Sequence, residues 1–313
     1  MSKHRFKRLI KVLTFSQVNK SALKSRFCEL TNTSTTTAGR YLDASKYNLE
    51  QAVDAYYNKH ATKSSPKSSP KSNSKANGKS IASDESQLNA IFDQYKDPNN
   101  SEVIDIDGTL KYLEDLNIDP DDPKSLTLAF LLKSPLVGVF EKDKFISTWK
   151  HYKIYDVKAM AKFLDTFHED VLYDKGNYSD IDTHEVIDFK QLYDFTFGFL
   201  KESENQKVLD IDFTISYWRL LLPLITTVYF TKQESTKDED KAKVEERVQN
   251  WFDFLSNSNP RPVITFDTWS MFYLFFLEVI LPDPYKLSNY DEMAAWPSKM
   301  DEYVEYLSDN SLL

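Results

Sequence analysis

The chain has 313 residues, 41% hydrophobic and 14% aromatic, with a formal net charge of −9. That is enough apolar material to bury a real core in one large or two smaller domains. Six glycines without a GxGxxG or GxxxxGK[ST] run exclude the usual phosphate-cradling loops, and no apolar run approaches the ~20 residues that span a bilayer.

The start, MSKHRFKRLIKVLTF, is basic, but Lys11 interrupts any signal-peptide core, so a soluble intracellular protein is expected. Residues 1–60 read as a small three-helix module. Ala22, Leu23, Phe27 and Leu30 mark one helix, and Ala38, Tyr41 and Leu42 a second. Leu49, Ala52, Val53, Tyr56 and Tyr57 mark a third, with Asn48 as its cap. Cys28 is the only cysteine, so no internal disulfide forms. In the stripe Leu23, Phe27, Leu30 it reads as a buried inert thiol rather than a thioester-forming nucleophile. Five scattered histidines and one cysteine also exclude a zinc cross-brace.

Residues 61–82, ATKSSPKSSPKSNSKANGKSIA, hold too little apolar surface to offset the entropy of ordering and read as a flexible linker. Residues 83–313 then read as a larger all-helical domain. Ile104-Asp105, Phe140-Glu141, Ile187-Asp188 and Ile264-Thr265 each join a strand-type hydrophobe to a capping or polar residue and an amphipathic helix, half of an EF-hand loop. Residues 232–243, KQESTKDEDKAK, are expected to be an exposed charged loop. The helix around Trp269, Phe272, Leu274, Phe275, Phe276 and Val279 is apolar nearly all round and must be buried.

Met300, Tyr303, Val304 and Leu307 follow Pro297 at i, i+3, i+4, i+7, the stripe of a last helix lying on the core. Asp301 falls off that stripe, with Ala295 and Trp296 in the turn before it. The pattern by itself favours a helix that merely closes the core over the alternative, a shallow acidic contact surface. Asp267, two residues after the cap Thr265, is open to the same two readings: complement to its own helix dipole, or surface.

Charge is split along the chain. Residues 1–80 carry 16 Lys/Arg against 4 Asp/Glu, and the rest 23 against 44. An acidic body disfavours nucleic acid and favours a basic protein partner, while the basic start reads as a solvated tail and linker without a membrane role. For calcium, Gly108 at loop position 6 puts Asp105, Asp107 and Glu114 at acceptable positions, but Val103 falls where a carboxylate is required. Residues 180–191 have Glu185 in place of the glycine and Gln191 in place of the bidentate glutamate. Degenerate loops without metal are expected. His168 and His184 each precede acids, yet neither has a nucleophile or ligand spacing nearby, so no catalytic residue and no cofactor is assigned.

Four ordered segments, IDGTLKYLEDLNIDP (106–120), FKQLYDFTFGFL (189–200), QKVLDIDFTISYWRLLL (206–222) and NYDEMAAWP (289–297), resemble the defective-in-cullin-neddylation family. YLDASKYNLEQAVDAYY is similar to a ubiquitin-associated domain, although Leu30-Thr31-Asn32-Thr33 replaces the usual Met-Gly-aromatic loop. The resemblance implies an all-α potentiating-neddylation domain over 83–313 and a non-enzymatic cofactor of cytoplasm and nucleus. It implies a cullin C-terminal domain bound at Asp267, Ala295 and Asp301. It also implies an apolar pocket of Ile106, Leu128, Phe140, Phe199, Tyr217 and Leu220 for the N-acetylated methionine of the neddylation conjugating enzyme. Thr109 and Ser125 are more polar than that pocket suggests. Ubiquitin or the ubiquitin-like modifier would be a partner of residues 1–60. A ubiquitin-binding adaptor and an EF-hand-derived calcium sensor are the alternatives.

Overall fold

The computed structural model describes residues 27, 28, 31, 33, 35–45, 52, 53, 55–57, 84–201, 205–233 and 238–313. The chain falls into two compact units, Met1–Ser83 and Asp84–Leu313. The linker assigned to 61–82 lies outside the described residues, as do Ala22, Leu23, Leu30, Asn48 and Leu49.

In the first unit the stripe Ala38, Tyr41, Leu42 falls in helix α1 (Thr35–Ala44). Phe27, Ala38, Leu42 and Ala52 are fully buried together, with Cys28, Tyr41, Val53 and Tyr56 packed around them. Phe27 is the hub: Tyr41 stacks on it at 5.7 Å and Tyr56 meets it edge-on at 5.7 Å. Cys28 is half-buried, not fully enclosed as its stripe suggested.

The larger unit is helical, as expected, with strands of two to five residues. Its first half pairs two helix–loop–helix units. Helix α2 (Asp84–Phe92), strands β1 (Lys96–Asp97) and β2 (Asn100–Ile104) and helix α3 (Ile106–Asp115) form one. Helix α4 (Pro123–Leu131), strand β3 (Phe140–Glu141) and helix α5 (Lys142–His151) form the other. Strands β2 and β3 are antiparallel, placing buried Ile104 opposite buried Phe140. Asp105 starts α3 by accepting from the Gly108 amide at 3.0 Å, and Asp122 starts α4, with Pro123 in the first turn.

Gly108 therefore belongs to the first turn of α3 and not to position 6 of a calcium loop. A Cβ there would lie 1.8 Å from the Tyr95 carbonyl oxygen and 2.9 Å from Ile104 Cγ2, so the glycine serves close approach of helix and loop.

After α6 (Val157–Tyr173), a second pair follows. Helix α7 (Phe189–Phe199), strand β4 (Val208–Leu209) and helix α8 (Ile211–Thr231) are matched by α9 (Asp238–Asn257), strand β5 (Ile264–Thr265) and α10 (Phe266–Phe275). Leu209 pairs with Ile264 across β4 and β5. The sequence reading counted Ile187-Asp188, and not Leu209-Asp210, among its strand-and-cap spots. Ile187 instead closes a local hairpin by donating to the Tyr178 carbonyl at 3.0 Å, while Asp188 does cap α7 as expected. Residues 238–243 are also not loop but the first turns of α9, where Asp238, Glu239 and Asp240 face the positive end of the dipole.

The core of this half is aromatic. Trp218 (α8) stacks on Trp269 (α10) at 5.4 Å, and Tyr193 (α7) stacks on the same ring at 4.6 Å. Trp218 Nε1 donates to the Tyr193 hydroxyl at 2.6 Å, which donates to the Trp269 carbonyl at 2.9 Å; Trp269 Nε1 donates to the Tyr193 carbonyl at 2.9 Å. All three helices are thus locked by rings whose polar atoms are satisfied. On the far side Trp251 (α9) stacks on Phe272 at 4.5 Å. Helix α10 runs into a π-turn (Phe276–Ile280), and helix α11 (Ser298–Asp309) closes the core with Met300, Tyr303 and Leu307 fully buried. Arg247 of α9, fully buried, donates to the carbonyls of Pro284, Tyr285 and Leu312, tying the 281–290 loop and the C-terminal end to the core.

Two substitutions test this account. Tyr193→Phe keeps the ring but orphans the Trp218 N–H, and is expected to cost about 1–3 kcal/mol in urea denaturation. An unchanged midpoint would remove that network as a stabilising element. Gly108→Ala is expected to cost about 2 kcal/mol or more by forcing α3 away from Tyr95; wild-type stability would show that the approach is not constrained.

Candidate functional site

The face carrying the predicted acids is built on α10. Thr265 caps this helix, its hydroxyl accepting from the Thr268 amide at 3.1 Å. Asp267, exposed, lies in the first turn, beside Phe266, which keeps 47% of its surface in solvent. Trp269, two residues on, is anchored in the stack described above, so the first turn of α10 cannot shift without disturbing α7 and α8.

At the other end of α10, Phe275 is fully buried and receives two aromatic edges: Trp296 at 5.3 Å and Tyr290 at 6.3 Å. The segment between them is held by short-range bonds. Asp283 accepts from the amides of Tyr285, Lys286 and Ser288 and from the Ser288 hydroxyl, which holds its carboxyl below the ordinary range. Tyr290 N donates to Leu287 O at 2.8 Å, and Asp291 caps the turn at Met293 with a 2.9 Å bond. Ala295 is exposed in the extended stretch that leads through Pro297 into α11.

Asp301 sits in the first turn of α11, half-buried, and its Oδ1 accepts from the Tyr290 hydroxyl at 2.7 Å. Burial, that bond, and the charges of Asp301, Glu292 and Glu305 hold the Tyr290 phenol well above its ordinary range, so it stays a donor. Among the described residues neither Asp267 nor Asp301 takes part in an ion pair, whereas Asp180, Asp182 and Asp212 are all paired with Lys or Arg. Each of these carboxylates sits at a helix N-terminus, and its negative charge has no basic partner among the described residues.

Ala295 and Asp301 are brought together through Trp296, Tyr290 and Phe275. Asp267 lies at the opposite end of α10, a rise of roughly 12 Å along the axis, and no hydrogen bond joins it to Asp301. Sequence reasoning missed Tyr290 as the support of Asp301. Its aromatic side chain inside a polar NYDE run was the only hint.

The six apolar residues divide by exposure. Leu128 (α4), Phe140 (β3), Phe199 (α7) and Tyr217 (α8) are buried, while Ile106 (α3) and Leu220 (α8) are half-exposed. Phe195 links two of their elements, meeting Phe130 of α4 at 5.4 Å and Phe199 at 5.5 Å. Burial raises the Tyr217 phenol above its ordinary range, and the charge of Asp121, just before α4, adds to the effect. Ile106 lies over the turn at Gly138, whose φ of +76° and close approach to Ile106 Cδ1 exclude a side chain. The polar Thr109 and Ser125 spend their hydroxyls on backbone carbonyls, Gly138 O at 3.0 Å and Pro120 O at 2.9 Å, so neither adds a free donor. A small cavity nearby is lined by Phe130, Leu131, Thr148, Tyr152 and Ile187 among others, and by none of the six.

No group of three or more His, Cys, Asp or Glu side chains able to hold a metal ion is found among the described residues. In the loop once weighed for calcium, Asp180 accepts from the Asp182 and Thr183 amides and from Lys133.

Residues 159–306 match the family described as Cullin binding, and residues 22–62 the UBA-like domain family. A relative from Candida albicans, "Defective in cullin neddylation protein 1", is 45% identical over 94% of this chain and 99% of its own length. The protein of that name from Saccharomyces cerevisiae is 28% identical over 90% of this chain and 92% of its own. "DCN1-like protein 3" of Drosophila melanogaster is 30% identical over 72% of this chain and 57% of its own. With its acidic helix ends, its paired helix–loop–helix body and its likeness to these relatives along nearly the whole sequence, the chain belongs to the defective-in-cullin-neddylation family.

Proposed function

We propose that this protein is a non-enzymatic cofactor of cullin neddylation that binds a cullin C-terminal domain and the N-terminally acetylated conjugating enzyme together. Family membership supports the coarse part, a role in cullin neddylation. The observation that supports the finer part is that Asp267 of α10 and Asp301 of α11 stand at helix N-termini without ion-pair partners among the described residues. A basic cullin surface would supply the missing charges. Exposed pairs contribute only ~0.2–1 kcal/mol, but pairs desolvated within an interface couple by ~1.5–7 kcal/mol, so the exposed Phe266 and Ala295 beside the acids matter as the water-excluding rim.

For the conjugating enzyme, the apolar set at α3, α4, β3, α7 and α8 would take a methionine side chain worth ~1.5–3 kcal/mol of burial. Acetylation removes an ammonium whose desolvation would oppose entry. Ile106 and Leu220, half-exposed, form the entrance, and the buried Leu128, Phe140, Phe199 and Tyr217 shift to admit the chain. The contribution to transfer of the modifier is then proximity and orientation of two bound partners, without a chemical group of its own.

The UBA-like match at residues 22–62 supports a second role, ubiquitin or modifier binding by residues 1–60. Deletion of residues 1–60 would remove that binding and leave cullin modification in place.

Two measurements test the reading. Asp267→Ala with Asp301→Arg in the full chain is expected to weaken cullin C-terminal domain binding by roughly tenfold or more while the variant still folds, as checked by circular dichroism; unchanged affinity in the folded variant would refute the acidic face. A peptide of the conjugating enzyme's N-terminus is expected to bind roughly tenfold more tightly when acetylated, and Leu220→Asp to erase that preference. Equal binding of both forms would refute the apolar site.

A further inference from the structure

Tyr290 belongs to neither the acidic triplet nor the apolar set, yet it makes the only hydrogen bond to the Asp301 side chain among the described residues. The donor is a neutral phenol and the acceptor a carboxylate, separated by 2.7 Å, the geometry of a charge-assisted bond. Its position is inherited from the core. The Tyr290 ring meets Phe275 at an interplanar angle of 73°, and Phe275 is fully buried and also edge-on to Tyr303, the residue of α11 that donates to the Arg247 carbonyl. The backbone on its N-terminal side is fixed as well, because Arg247 holds the carbonyls of Pro284 and Tyr285. Phe275, Tyr290 and the start of α11 therefore form one rigid bracket around a single carboxylate.

A short acid in the first turn of a helix has several accessible rotamers, and its electrostatic value to a partner depends on which is populated. The bond fixes one oxygen, Oδ1, toward the protein, leaving Oδ2 as the oxygen that meets an incoming cation. Because its rigid ring is already packed, Tyr290 can hold the carboxylate at little entropic cost.

We propose that Tyr290 is a positioning residue for cullin recognition: it orients Asp301 so that Oδ2 is presented to a basic side chain of the partner. This rests on the reading of Asp301 as a cullin contact given above. The bracket is specific to a hydroxyl. Phenylalanine would keep the ring contact with Phe275 and lose only the bond, so the effect falls on recognition while the fold is retained.

The test is a double-mutant cycle in the full-length chain, with Kd for a purified cullin C-terminal domain measured for wild type, Tyr290→Phe, Asp301→Asn and the double variant, alongside melting temperatures. Tyr290→Phe is expected to raise Kd roughly three- to tenfold when Asp301 is present and to leave it unchanged in the Asp301→Asn background. The same rise in both backgrounds would overturn the proposal, since Tyr290 would then act independently of Asp301. So would wild-type affinity of Tyr290→Phe when Asp301→Asn is weakened. If Asp301→Asn itself binds as wild type, the underlying reading of Asp301 fails instead. A Tyr290→Phe loss in melting temperature proportional to the loss of binding would show a structural role only, and would also overturn it.

Discussion

The placement of the acidic face depends on a hydrogen-bonded stack of three rings. Trp269 stacks on both Trp218 and Tyr193, which are themselves joined by a hydrogen bond, and every polar atom that these rings contribute is bonded to a member of the same group. Apolar burial alone leaves helices free to slide by small amounts; three directional bonds among buried rings do not. Helix α10 is fixed in rotation and in height by this group. Its first turn, with Asp267, and its last turn, with Phe275, are fixed with it. The positions of Asp267 and Phe275 follow from the packing of this one helix.

The second constraint is the pairing of short strands. Ile104 with Phe140 and Leu209 with Ile264 bring two helix–loop–helix units together in each half. In a calcium-binding loop of such a shape the ion would organise the backbone. Here side chains take that part: Asp105 and Asp210 cap the helices that follow their strands, and Gly108 lets α3 lie against the Tyr95 carbonyl. The loops keep their form through capping and close packing.

Much of this was legible in the sequence where the governing interactions are local. The stripe Met300, Tyr303, Leu307 and the Pro297 start gave α11, and the apolar wrap around Trp269 and Phe272 gave a buried α10. Caps were readable at Asp105, Asp188 and Thr265, because a cap is a contact between residues two or three apart. What failed was non-local. Ile187 and Leu209 each precede a capping aspartate, and only the fold decides that Leu209 finds Ile264 while Ile187 closes on Tyr178. The charged run from Asp238 reads as loop until its acids are recognised as first-turn residues of α9. The site divides in the same way: Asp267, Ala295 and Asp301 came from family resemblance, whereas Tyr290 was visible only as a tertiary contact.

The central claim is that one molecule holds both partners at once. It is tested most directly by the rate of modifier transfer to a cullin when two singly impaired proteins are mixed, one with Asp267→Ala and Asp301→Arg, the other with Leu220→Asp. If the protein works by bridging, the mixture stays as slow as either variant alone, because neither molecule can bring the two partners together. A mixture that restores the wild-type rate would contradict the account, since each surface would then be acting on its own partner.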